Sequence, residues 1–124
     1  LTVAENIELA GVFANIPPSK RHERVEELAK QLGITEVING LPAGISGGQA
    51  ERVCVAQALF MEPEVILADE PTNNLDSQSI QKVLEVLRDV QQIGVTVIIA
   101  SHDERIERYA EQIINVADGK VWVA

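Results

Sequence analysis

The sequence predicts an α/β domain: helices first, then part of an open, mostly parallel sheet. Two short apolar runs, "EVILAD" at 64–69 and "VTVIIA" at 95–100, flank a helical pattern and give a strand–helix–strand unit. The residues before Pro63 hold only helical spacings and loop breakers. Asp118-Gly119, set between "QIINVA" and "KVWVA", adds a β-hairpin at the end.

Taken in order, Val3, Ile7, Ala10 and Ala14 recur at helical spacing, and Pro17-Pro18 stops that helix. Ser19 is placed to cap a second helix with Val25, Leu28, Ala29 and Leu32 on its apolar face, closed by Gly33. Residues 34–44 are irregular, with Pro42 and Gly44 as breakers. A third helix is expected from Ser46 to about Met61. The run to Asp69 then reads as a buried parallel strand, and "PTNNLD" at 71–76 as a loop. Ser77 is placed to cap a fourth helix that presents Ile80, Val83, Leu84, Leu87 and Val90 on one face and ends at Gly94. A second buried, β-branched strand follows, then a turn and a short helix from "SHDE". There is no internal repeat and no low-complexity segment.

Composition narrows the function. The 124 residues are 46% hydrophobic and 23% charged, a globular balance, but only 3% aromatic, so aliphatic side chains must build the core. Nineteen acidic against ten basic residues give a net charge of -9, which argues against a nucleic acid partner but leaves room for one small local anion site. Cys54, alone, forms no internal disulfide and is expected as a buried structural thiol. No run approaches the roughly 20 apolar residues that span a bilayer, and no secretory signal pattern opens the chain. The chain starts at Leu1 and its only methionine is Met61, which suggests a piece of a longer product.

Ligands of open α/β sheets sit beyond the carboxyl ends of the strands. Both strands here end in polar groups, Asp69-Glu70 and Ser101-His102. An acid at such a position suits Mg²⁺, held directly or through water, and a second acid beside it can deprotonate a water. A strand running into an acidic surface loop explains "VILADE" equally well. His102 should lie near Glu70 if the strands are parallel, within reach of a phosphate oxygen or an attacking water; alone it reads as a locally bonded loop histidine. His22, on a charged helical face, reads as solvated. "ISGGQ" at 45–49 opens a helix with two poor helix formers. Ser46 and Gln49 fit a capping box, which leaves Gly47 and Gly48 unexplained. Bare backbone at a positive helix end admits an anion, and phosphate binding would justify the glycines.

These stretches together resemble the ATP-binding cassette (ABC) ATPases. "ISGGQ" is similar to that family's signature motif, "VILADEPTNNLD" to its Walker B strand, catalytic glutamate and D-loop, and "SHD" to its switch histidine. They occur in family order and near family spacing; Pro42 precedes the signature as it often does there, and "LTVAEN" resembles the segment after the Q-loop. The likeness spans essentially the whole chain. It implies a partial P-loop NTPase fold, with residues 1–62 as a helical subdomain and 63–124 as the C-terminal part of the ATPase core. It implies ATP and Mg²⁺ as ligands: Asp69 on the metal through water, Glu70 as general base, His102 on the γ-phosphate. Ser46, Gly47, Gly48 and Gln49 would complete an ATP site on an opposing subunit, and Asn74, Leu75 and Asp76 would form the D-loop at that interface. The implied partners are the N-terminal half of the ATPase domain, a second ATPase subunit and a transmembrane permease, placing the protein in the cytoplasm on the inner face of the membrane.

The chain departs from the family in stated ways. It has no Gly-x-x-x-x-Gly-Lys-Ser/Thr phosphate loop, no Q-loop glutamine and no base-stacking aromatic, so alone it is expected to neither bind ATP well nor hydrolyse it. Ile45 replaces the usual leucine, Gln57 stands where arginine is general, and "AER" at 50–52 keeps Arg52 but varies before it. Within the family, "LADEPTNNLD" and "SHDERIERYAEQIINVADGKV" look most like exporters of the lipoprotein-release and macrolide-efflux type. The alternatives are a non-transport cassette such as the ribosome-associated factors, and a truncated, non-catalytic interaction module.

Overall fold

The computed structural model describes residues 1–124. Thr2 opens the first helix, α1 (Val3–Phe13), with a capping box shared with Glu5. Helix α2 (Pro18–Leu32) starts differently from expectation. Pro17 occupies the cap position, Pro18 the first helical position, and Ser19 makes no capping bond. Proline's fixed φ suits that position, where its missing N–H leaves nothing unpaired. Gly33 closes α2 at φ +66°, the left-handed conformation that glycine adopts without a Cβ penalty. Two 3-10 turns, Thr35–Val37 and Pro42–Gly44, lead to α3 (Gly47–Leu59).

Strand β1 (Val65–Asp69), helix α4 (Ser77–Gln92) and strand β2 (Thr96–Ala100) form the expected strand–helix–strand unit. The strands pair in parallel, from Val65 beside Thr96 to Asp69 beside Ala100. Asp76, not Ser77, caps α4: its carboxylate accepts the Ser79 amide at 2.7 Å. Bonding to that amide, then to the Ser79 side chain, holds the Asp76 carboxyl below its ordinary range. After a 3-10 turn, Glu104–Tyr109, strands β3 (Ile114–Ala117) and β4 (Lys120–Val123) form a separate antiparallel hairpin. Asp118 and Gly119, at φ +51° and +72°, make the tight turn between them.

One cluster of 16 buried residues joins α1, α2 and α3 to the sheet and α4, through Ile7, Leu28, Leu59, Ile66, Val83 and Val90 among others. The five apolar positions expected on α4 are all buried. The strands are not buried on both faces as expected. Ile66 faces the core, but Leu67 is 76% exposed and Ile98 54%. With only two strands, the packed helices cover one face, and the two-residue side-chain period turns alternate residues outward. Cys54 is likewise exposed rather than buried, because α3 packs through Val53, Ala56 and Leu59. Partial desolvation and the nearby Glu51 carboxylate push its thiol up. Gln57 donates to the Asn6 carbonyl at 3.2 Å, tying α3 to α1 without the charge an arginine would bring.

Candidate functional site

The parallel register brings the ends of β1 and β2 level, with Asp69 beside Ala100. The Glu70 amide donates to the Ala100 carbonyl at 2.8 Å, one bond past the ladder. Glu70 then turns at φ +48°, a conformation glutamate rarely adopts. Its carbonyl accepts the Asn73 amide at 3.2 Å. This turn directs the Glu70 side chain towards the loop after β2. There Oε1 lies 2.6 Å from His102 Nδ1, and Ser101 Oγ donates to Oε2 at 3.4 Å. The His102 ring is otherwise open to solvent, its side chain 98% exposed against 36% for Glu70.

A second set of bonds lies beside this pair. Thr72, 4% exposed, donates its hydroxyl to Asp103 Oδ2 at 3.3 Å. Arg105 Nε and Nη2 grip the two carboxylate oxygens of Asp103, each at 2.8 Å, and the Arg105 amide adds a third bond. Bonding to the Arg105 guanidinium, then to its amide, lowers the Asp103 carboxyl to about 2. The Asp103 amide in turn donates to Ser101 Oγ at 3.0 Å. Glu70, Asn74, Leu75, His102, Asp103 and Arg105 line an open cleft of about 560 Å³.

The residues proposed from sequence do not all meet in this cleft. Glu70 and His102 do, and Asn74 and Leu75 of the expected D-loop line it too. Asp69 is exposed at the strand end and belongs to no group of three metal-ligating side chains. A lone exposed carboxylate of this kind is a donor that Mg²⁺ accepts alongside water and phosphate oxygens. Ser46 accepts the Gln49 amide and Gln49 receives the Ser46 amide, so the capping box is complete; neither lines the cleft. Gly48 is buried, and a Cβ there would sit 3.2 Å from Ser79 Oγ; one at Gly47 would sit 3.0 Å from Leu75 Cδ2. The glycines therefore have a packing reason, close approach to α4 and the loop before it, besides the phosphate access read from sequence. Sequence reasoning missed Thr72, Asp103 and Arg105. The Asp-x-Arg spacing is a local signal for the last two, but the burial of Thr72 against Asp103 is tertiary.

A family profile described as ABC transporter matches residues 1–73. The chain is 46% identical over 121 residues to the macrolide export ATP-binding/permease protein MacB of Salmonella typhimurium, covering 98% of this chain and 19% of that protein. It is 41% identical over 121 residues to the protein of that name from Vibrio parahaemolyticus, covering 98% of this chain and 18% of that one. It thus spans about a fifth of the length of these curated relatives. Among solved structures, it superposes on the dimeric, post-hydrolysis ATP-binding cassette MJ0796 bound to ADP and Pi with TM-score 0.81 and 34% identity, over 99% of this chain and 56% of that one. It superposes on cbiO1 of Clostridium perfringens, part of the ABC transporter complex cbiONQ, with TM-score 0.90 and 31% identity, over 98% of this chain and 49% of that one. The chain is the C-terminal part of an ATPase domain and belongs to the ABC transporter family.

Proposed function

We propose that this chain is the catalytic back half of an ATPase domain that drives a macrolide-export-like transporter, with residues 1–62 as its helical subdomain and 63–124 as core. The observation that carries the reading is the Glu70–His102 pair at the carboxyl end of two parallel strands. Glu70 acts as general base on the attacking water, and His102 contacts the γ-phosphate while its bond to Glu70 orients both groups. Asp69 holds Mg²⁺ through water, and the ion, when bound, offsets charge on the phosphate oxygens. Ser46, Gly47, Gly48 and Gln49 present the positive end of α3 to ATP held by an opposing subunit, and Asp76 lies at the same interface. The MacB relatives, whose names pair ATP binding with a permease, and the dimeric MJ0796 cassette support this assembly.

The partners that follow are a phosphate-loop half of the domain, a second ATPase subunit and a transmembrane permease, with the cassette on the cytoplasmic face of the membrane. The 124 residues contain no phosphate-loop sequence, so this chain by itself neither holds the β- and γ-phosphates nor turns ATP over. The test is Glu70→Gln in the complete, dimerising cassette. Hydrolysis should fall by about 10²–10⁴-fold with ATP affinity retained. Unchanged turnover would remove Glu70 from the base role.

A further inference from the structure

The Glu70–His102 contact joins two loops that carry no backbone bond to one another beyond the Glu70 amide and the Ala100 carbonyl. Both side chains are long or exposed, so something must hold the loops in register. Asp103 is the group that touches both. Its carboxylate takes the hydroxyl of Thr72, two residues after Glu70, and its own amide fixes Ser101 Oγ, which reaches Glu70 Oε2. Arg105 closes on Asp103 from the far side through two parallel bonds, and the carboxylate is 17% exposed. Thr72 is buried with its hydroxyl satisfied by this contact.

We infer that Asp103 is a positioning residue: clamped by Thr72 and Arg105, it locks the loop after β2 onto the loop after β1 and so sets the Glu70–His102 distance. Asp103 touches no reacting atom; it acts through the two residues beside it. Its importance for turnover rests on the reading of Glu70 and His102 given above, but its effect on their geometry does not. Displacing a reacting pair by about 1 Å lowers rates by about a hundredfold, so a loosened loop should be felt mainly in kcat.

The experiment uses the complete cassette, with Asp103→Ala, Thr72→Val and Thr72→Ser, read by the ¹⁵N resonances of the His102 ring, by kcat and KM for ATP, and by the unfolding midpoint. Asp103→Ala should move the His102 Nδ1 resonance to that of a ring without its carboxylate partner and lower kcat about ten- to a hundredfold, with KM nearly unchanged. Thr72→Val should shift both in the same direction, and Thr72→Ser, which keeps the hydroxyl, should restore them. An unmoved His102 resonance in Asp103→Ala overturns the inference. So does equal loss in Thr72→Ser and Thr72→Val in step with the midpoint, which is the mark of a merely structural role. A moved resonance with unchanged turnover upholds the positioning of the pair and overturns instead the catalytic reading of Glu70 and His102.

Discussion

His102 Nδ1 lies 2.6 Å from Glu70 Oε1 across 32 residues of chain. A solvent-exposed polar contact contributes about 1 kcal/mol at most, so it is a weak source of stability. The β1–β2 register and the left-handed turn at Glu70 bring the two side chains within reach, and the Asp103 bonds join the loops that carry them. Slipping either strand by one residue would turn the following side chains to the opposite face and part the pair.

The Asp103 clamp carries a pH signature. Its carboxyl titrates at about 2 in the folded chain, below the usual aspartate value near 3.9. The unfolded chain therefore binds the proton first as pH falls. The clamp's contribution to stability is complete above about pH 4 and is lost as pH drops through about 2. An NMR titration of the side-chain carboxyl should place Asp103 near 2, and Arg105→Ala should raise it. A midpoint near 4 in the unsubstituted chain would refute the clamp.

Gly11 marks where α1 meets the core. A Cβ there would lie 2.5 Å from the Phe60 ring, which is 3% exposed and has little room to move, and 3.1 Å from Arg21 Cδ. Alanine would gain up to about 1 kcal/mol of helix propensity. Overpacking should outweigh it, for a net loss of about 1–3 kcal/mol in Gly11→Ala. Urea denaturation decides the matter; a raised midpoint would mean the ring yields freely.

The capping box of α3 predicts a modest, local effect. Ser46→Ala removes the acceptor of the Gln49 amide, 3.2 Å away. The loss should be about 1 kcal/mol by chemical denaturation, whatever the residue does for a nucleotide. A null result would show that another group takes over the amide.

Uncovered apolar surface predicts association. Leu67 on β1 and Val116 and Val121 on the hairpin are 76%, 72% and 68% exposed, on strands with free edges. The 124-residue chain should self-associate with rising concentration in sedimentation velocity, and Leu67→Lys should weaken the effect. A monomer with a cooperative, high-midpoint unfolding transition would contradict this.

The element order was legible in the residues because each signal is local. Helical spacing picked out the buried face of α4, Gly33 and Asp118-Gly119 marked turns that need positive φ, and the Ser46–Gln49 pair formed the cap its spacing promised. The likeness of "ISGGQ", "VILADEPTNNLD" and "SHD" to one family also lay in short ordered strings. Some local choices were close contests: Asp76 and Ser77 both suit a cap, and the carboxylate took it. What only the tertiary structure decided was which groups meet across distance. Periodicity says that a residue faces inward, not what it finds there. The burial of Gly48 against Ser79, the open face carrying Leu67 and the exposure of Cys54 follow from which neighbours exist and how closely they pack. The Thr72–Asp103 bond joins residues 31 apart in sequence, and no spacing rule spans that gap; the parallel register of two strands does.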